Sequence, residues 1–295
     1  MNIYEKYKNA KQLHKNFKLG YFKIIYLYYF KNKCINLYLD TLEEKICLTL
    51  STLKQLNDIL MNGWKVINFK NPFIKLQLND IVITCRINKG WDLGHLIEIY
   101  NNKTYGRNFI NYNIIDVGMS NGDSTIYFAK YGAKKVVGLE PDIESYDLAQ
   151  KNIKESNINN KVVLINKALS HEKKLTEFIV YDKYPNANSI DEKNMAKLNS
   201  SVHKDIVETI TLYEIFTLFN GENIDLLKMD CEGCEYEVLN NLDSRIFNKI
   251  IRIYLEFHNG VQNLPNILKN NGYNVSIENS TEKMGFIRAE REGLK

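Results

Sequence analysis

Gly118-Met119-Ser120-Asn121-Gly122 follows a short apolar run, Ile114, Ile115 and Val117, broken only by Asp116. A second apolar run, residues 135–139, ends in Glu140-Pro141-Asp142. Glycines in such a turn let backbone N–H groups approach a ligand, and an acid at the end of the next strand accepts the hydroxyls of a ribose. The separation of Asp116 and Glu140 matches the gap of about twenty residues that this arrangement calls for. The loop is GxxxG and not GxGxxG, so it lacks the middle glycine that admits a pyrophosphate, which argues against NAD or FAD. A ligand with an amino-acid end and an adenosine end, such as S-adenosylmethionine, fits the looser loop. Asp116, Gly118, Ser120, Gly122 and Glu140 are therefore candidate cofactor residues, with Asn166 and Ala168 beyond the third strand.

A second set of polar residues stands at the ends of later apolar runs. Residues 224–229 end in Asp230-Cys231-Glu232-Gly233-Cys234-Glu235, and residues 250–255 end in Glu256-Phe257-His258. Methyl transfer to oxygen is an in-line displacement that also requires removal of a proton. His258 suits the base, because an unperturbed imidazole titrates near neutrality. Asp230 competes if burial shifts it upward. A third arrangement has Asp230, Glu232, Glu256 and His258 holding a divalent cation that lowers the pKa of the acceptor hydroxyl. A fourth leaves Glu256 and His258 as strand-end packing. Cys231 and Cys234 make a CxxC without a second pair, a weak zinc signal, and small apolar packing is the expectation for both.

These residues need strands that end on one edge of a sheet. The chain from residue 109 alternates strands and helices. Helices are expected over residues 144–156, 236–242 and 261–270, and strands over 162–165, 175–181, 273–277 and 285–289. The helix after the glycine loop has Asp123 or Ser124 as its cap. This order predicts an α/β doubly wound sheet with an antiparallel C-terminal hairpin, whose ligands bind beyond the C-terminal strand ends. Residues 184–201 are polar and long for a connector, which reads equally as a flap near a ligand or as a solvated loop. Residues 1–108 read as a small α+β appendage and 109–295 as the catalytic domain. In the appendage a helical stretch to residue 38 and a leucine-spaced helix over 48–60 precede strands at 65–69, 73–78 and 81–87. Asp92 then caps a helix to Tyr100.

The net charge of +4 is mild and does not call for nucleic acid, although lysine is abundant in the first seventy residues. Five scattered cysteines argue against a disulfide framework and for a reducing compartment, hence the cytoplasm. No apolar run reaches the roughly 20 residues of a membrane span. Residues 21–39 mix aromatics with lysines and leave a peripheral membrane contact open beside the alternative of a packed helix. Nothing in the sequence sets an oligomeric state.

Five segments in order, residues 114–129, 136–142, 166–170, 225–239 and 254–258, resemble the FkbM-type methyltransferases. Residues 92–106 are similar to the segment that precedes the glycine loop in many members. The resemblance implies the class I methyltransferase fold, S-adenosylmethionine as cofactor, and a hydroxyl acceptor on a sugar, glycan or related metabolite. It implies cofactor binding by Asp116, Gly118, Gly122 and Glu140 and a site containing Asp230, Glu232 and His258. The chain departs from the family's pattern at Ser120, usually Asn, and at Cys231 and Cys234, often Val and Ala. Two other functions stay in view: RNA methylation through the lysine-rich N-terminal region, and an inactive module that binds the cofactor without turnover.

Overall fold

The computed structural model describes residues 11, 13, 34–37, 46–87, 90–183, 185–190 and 201–291. The chain divides into two compact units, Met1–Gly106 and Arg107–Lys295.

In the first unit, β1 (Cys34–Leu37) pairs antiparallel with β2 (Ile46–Thr49). The helix expected up to residue 38 is corrected there: Cys and Ile are middling helix formers, and the ladder with β2 satisfies their backbone instead. Residues 11 and 13 are helical, and the remainder of that stretch, with the rest of the lysine-aromatic segment of residues 21–39, lies outside the described residues. Thr49 caps α1 (Leu50–Met61) by accepting the Thr52 N–H, and the helix buries Leu53, Leu56 and Ile59. The antiparallel meander β3 (Lys65–Lys70), β4 (Phe73–Leu78) and β5 (Ile81–Arg86) follows. α2 (Asp92–Leu96) then widens into a π-helical turn over Ile97–Asn101. Asp92 does not cap it. Its carboxylate instead takes the Arg86 guanidinium at 2.9 Å and the Arg86 backbone N–H at 2.7 Å, and both side chains are buried. A buried carboxylate is held better by a bidentate cation than by a helix end.

The second unit runs β6 (Asn113–Val117), α3 (Asp123–Lys130), β7 (Lys135–Leu139), α4 (Ile143–Glu155) and β8 (Val162–Ile165). An insertion follows, with β9 (Ala168–Leu169), β10 (Leu175–Tyr181) and β11 (Val202–Ile210). The alternation resumes with α5 (Leu212–Thr217), β12 (Leu226–Met229), α6 (Cys234–Asn241), α7 (Ser244–Phe247), β13 (Arg252–Phe257), α8 (Leu264–Asn270), β14 (Tyr273–Glu278) and β15 (Gly285–Arg291). The main sheet has seven strands in the order β14-β15-β13-β12-β6-β7-β8. β6, β7, β8, β12 and β13 pair in parallel, whereas β15 is antiparallel to both neighbours. The expected doubly wound sheet with its C-terminal hairpin is this one, the class I methyltransferase arrangement. Strand order reverses between β6 and β12, so the sheet's switch point falls beside the glycine loop.

Central strands read as near-continuous apolar runs because both faces are covered. Ile115, Val117, Val137, Leu139, Leu227, Met229, Ile253 and Leu255 are all buried in one cluster with Phe216, Phe247 and Leu268. The insertion forms its own sheet, β10-β11-β9. Of the polar stretch after β10, residues 184 and 191–200 lie outside the described residues. Its described part makes a 3₁₀ turn at Pro185–Ala187 and a bridge from Ser189 to Ile179. No helix among the described residues is long and apolar enough to cross a membrane.

Candidate active site

The glycine loop sits between β6 and α3 with Gly118, Ser120 and Gly122 all at positive φ, of 74, 47 and 84°. A Cβ on Gly118 would overlap the Asp230 carbonyl oxygen, and one on Gly122 would press on Ala149 of α4. Ser120 holds the same left-handed region without a glycine's freedom, a region that Asn tolerates better than Ser. Four N–H groups of this loop are bonded within the chain. Gly118 and Met119 donate to the Leu139 carbonyl, Ser120 to Glu140, and Gly122 to Met119. Those four N–H groups are therefore taken up by the protein itself.

Glu140 stands at the end of β7. One carboxylate oxygen accepts the Ser120 N–H and the other the Asp142 N–H, both at 2.9 Å. The acid thus ties the glycine loop to the start of α4. Asn166 braces the same corner by donating to the carbonyls of Glu140 and Pro141 at 2.8 and 3.0 Å. Ala168 is buried in β9, where it pairs with Thr209 of β11.

Asp116 is fully buried, and its contacts are with the chain's own side chains. Ser124 and Thr125 donate their hydroxyls to Oδ2 at 2.7 and 2.6 Å, and Lys228 Nζ lies 3.2 Å from Oδ1. The register of β12 on β6 sets Lys228 opposite Asp116. Lys228 also donates to the carbonyls of Val117 and Gly118, so one buried cation gathers the strand end and the glycine loop. Burial works against its charge, and the carboxylates of Asp116 and Asp230 more than offset this and raise its pKa. With Asp116 engaging the first turn of α3, neither Asp123 nor Ser124 caps the helix. Its N-cap is Gly122, with no side-chain bond, and the Asp123 carboxylate accepts the adjacent Ser124 N–H.

The four acceptor-side residues come together beyond β12 and β13. His258 Nε2 lies 3.4 Å from Glu232, 3.7 Å from Glu256 and 3.9 Å from Asp230. Burial lowers the His258 pKa, and Asp230 partly counters it. Burial also pushes the Glu232 carboxyl up to about 9, with Asp230 and Glu235 adding to the effect. Both shifts favour the neutral forms, which is the response expected where desolvation dominates.

Cys231 and Cys234 do not pack as free thiols: they form a disulfide. Glu232 at φ 54° and Gly233 at φ 121° fold the turn so that the two Cα atoms lie 5.6 Å apart, within bridging distance. The closed turn presents Glu232 toward His258. Glu235 supports it from below, one carboxylate oxygen accepting the Cys231 N–H and the other the Gly233 N–H. Tyr236 performs the same service for the loop after β13. Its hydroxyl donates to the Gly260 carbonyl at 2.8 Å and accepts the Asn259 N–H at 2.9 Å. Lys228, Glu235 and Tyr236 were not singled out from the sequence. Their signal was there, as a lysine inside an apolar strand and a Glu-Tyr pair just after the CxxC.

A family model described as the methyltransferase FkbM domain matches residues 116–275. A protein named Methyltransferase 1 from Beauveria bassiana (strain ARSEF 2860) is 25% identical over 183 residues, covering 56% of this chain and 73% of that one. Among solved structures, magnesium protoporphyrin IX methyltransferase from Synechocystis PCC 6803 with bound S-adenosylmethionine gives a TM-score of 0.40 at 14% identity, covering 68% of this chain and 81% of that one. The ribosomal protein L11 methylase from Lactobacillus delbrueckii subsp. bulgaricus gives 0.37 at 12%, covering 68% and 78%.

Proposed function

Because the chain belongs to the FkbM methyltransferase family, we propose that it is an S-adenosylmethionine-dependent O-methyltransferase acting on a hydroxyl of a sugar, glycan or related metabolite. One observation carries this reading. The glycine loop abuts the acid–histidine cluster, with Gly118 against the Asp230 carbonyl where no Cβ fits. A cofactor held over that loop would face a group of residues able to take a proton.

When bound, S-adenosylmethionine supplies an activated methyl group and leaves as S-adenosylhomocysteine. The chain's own residues do the rest. Glu140 would accept the ribose hydroxyls, its orientation already set by Ser120 and Asp142. Asn166 would keep that corner in shape, and Asp116 with Lys228 would hold the loop from behind without touching the ligand. Asp230, Glu256 and His258 would orient the acceptor hydroxyl and receive its proton, with Glu232, kept neutral by burial, beside them. The partial exposure of the three acids, at 19 to 26% of each side chain, leaves them within reach of an acceptor. The acceptor is read as a small molecule or glycan, without nucleic acid, since the acid-rich cluster would repel a phosphate backbone.

Calorimetric titration of the purified chain with S-adenosylhomocysteine and with NAD tests the cofactor, and mass-spectrometric detection of methylated products from a panel of glycosides tests the acceptor. Binding of S-adenosylhomocysteine alone, with a methyl ether formed on a glycoside, is the expected result. Binding without transfer to any hydroxyl acceptor would favour an inactive module, and no binding by folded protein would remove the reading.

A further inference from the structure

We propose that Asp230, Glu256 and His258 form a binding site for one divalent cation of the magnesium or manganese type. The role of that cation in catalysis rests on the methyl-transfer reading above, but its binding does not.

One carboxylate oxygen from each acid and one ring nitrogen of His258 lie within 4.8 Å of one another. Metal–ligand bonds of about 2.1–2.4 Å in octahedral geometry set ligand atoms about 3.0–4.8 Å apart. The separations of 3.9 Å from His258 Nε2 to Asp230 Oδ1 and 3.7 Å to Glu256 Oε1 fall inside that range.

The second observation is the histidine itself. Its side chain is only 8% exposed, yet Nδ1 is buried without a hydrogen-bond partner. Nε2 points among the carboxylates at 3.4–3.9 Å and makes no hydrogen bond with any of them. Buried polar side chains are nearly always hydrogen-bonded, and an exception calls for an explanation such as an ion. A cation coordinated by Nε2 gives that nitrogen the partner it lacks among the carboxylates and relieves the crowding of the acids.

The chemistry of the set selects the ion. Two carboxylate oxygens make a mostly hard donor set that suits manganese or magnesium, with no thiolate to favour a softer ion. The nearby sulfurs are joined to each other and cannot serve. Geometry also narrows the four polar residues seen in the sequence to three. Glu232, on its left-handed turn, stands outside the set. The partly exposed side leaves positions open for water or for the acceptor hydroxyl. With the cation bound, its ligands no longer serve as the base, and a coordinated hydroxyl is acidic enough to give its proton to solvent water instead. Its oxygen then bonds to the methyl carbon as the carbon–sulfur bond breaks, with that electron pair remaining on sulfur.

The test is calorimetric titration of the chelator-treated full chain with manganese chloride and no cofactor, with S-adenosylhomocysteine binding measured separately. One ion per chain is expected. Asp230→Asn, Glu256→Gln and His258→Gln should each weaken it by about tenfold or more, while Glu278→Gln, at the end of β14 where it pairs with Arg288, leaves it unchanged. The loss of the free manganese electron-resonance signal in the wild-type chain gives the same answer without a variant. No stoichiometric uptake by folded wild-type protein, or equal uptake by the three variants, overturns the proposal. Failure of S-adenosylhomocysteine to bind, with manganese bound as expected, removes the methyl-transfer reading and leaves the cation site standing.

Discussion

Lys228 is the residue on which both halves of the candidate site converge, since it pairs with Asp116 and bonds two carbonyls of the glycine-loop side. Lys228→Met should cost about 3–5 kcal/mol in urea unfolding, because it leaves a buried carboxylate without its cation. Adding Asp116→Asn should recover part of that loss, and strict additivity would show that the two residues act independently. Glu140 makes a different prediction. Glu140→Ala should weaken S-adenosylhomocysteine binding by about 1–3 kcal/mol in a calorimetric titration, the scale of lost charge-assisted bonds. Unchanged affinity would remove Glu140 from the ribose. The places of Gly118 and Glu140 at strand ends were legible in the sequence because each follows the stop of an apolar run, and runs that stop can be seen without knowing their partners. Lys228 was not legible in that way. A lysine in an apolar strand looks like an interruption until the register of β12 on β6 sets it opposite Asp116.

The elements around the site are short and depend on side chains for their final turns. The disulfide turn between β12 and α6 closes a ring of a few residues, for which the chain-entropy relation gives about 2 kcal/mol. Reduction, or Cys231→Ser with Cys234→Ser, should lower unfolding stability by about that much and should reduce turnover more than cofactor affinity, because the turn presents Glu232 and not the glycine loop. Equal stability with and without reductant would mean that Glu235 alone holds the turn. Tyr236→Phe removes two hydrogen bonds from the loop after β13 and should cost about 1–3 kcal/mol by thermal or urea unfolding. The strands and helices of the main sheet were readable from apolar periodicity and acidic run ends. The insertion's separate sheet was not, since β10 and β11 alternate like any half-buried strands and nothing local says which sheet they join. Nor was the bridge between Cys231 and Cys234, because four residues become a bridgeable turn only when Glu232 and Gly233 take positive φ.

Taken whole, the second unit buries acids near one edge of its sheet, and its stability should respond to pH accordingly. Burial pushes the Glu235 carboxyl up to about 7 from an ordinary value of 4.5. The folded chain therefore holds this proton more tightly than the unfolded chain does. Its contribution to stability is full below the ordinary value and is lost as pH rises through about 7. Thermal unfolding should thus occur at lower temperature at about pH 8 than at about pH 5, and Glu235→Gln should flatten that part of the slope. A slope unaltered by the substitution would assign it to other groups. The order of the main sheet has a further consequence. β15 comes after every other strand of that sheet in sequence, yet it lies inside it, between β13 and β14. During synthesis, β13 keeps an unpaired edge until Gly285–Arg291 has left the ribosome. That open edge is a template for pairing with other chains, so the nascent protein is most prone to aggregate just before β15 emerges.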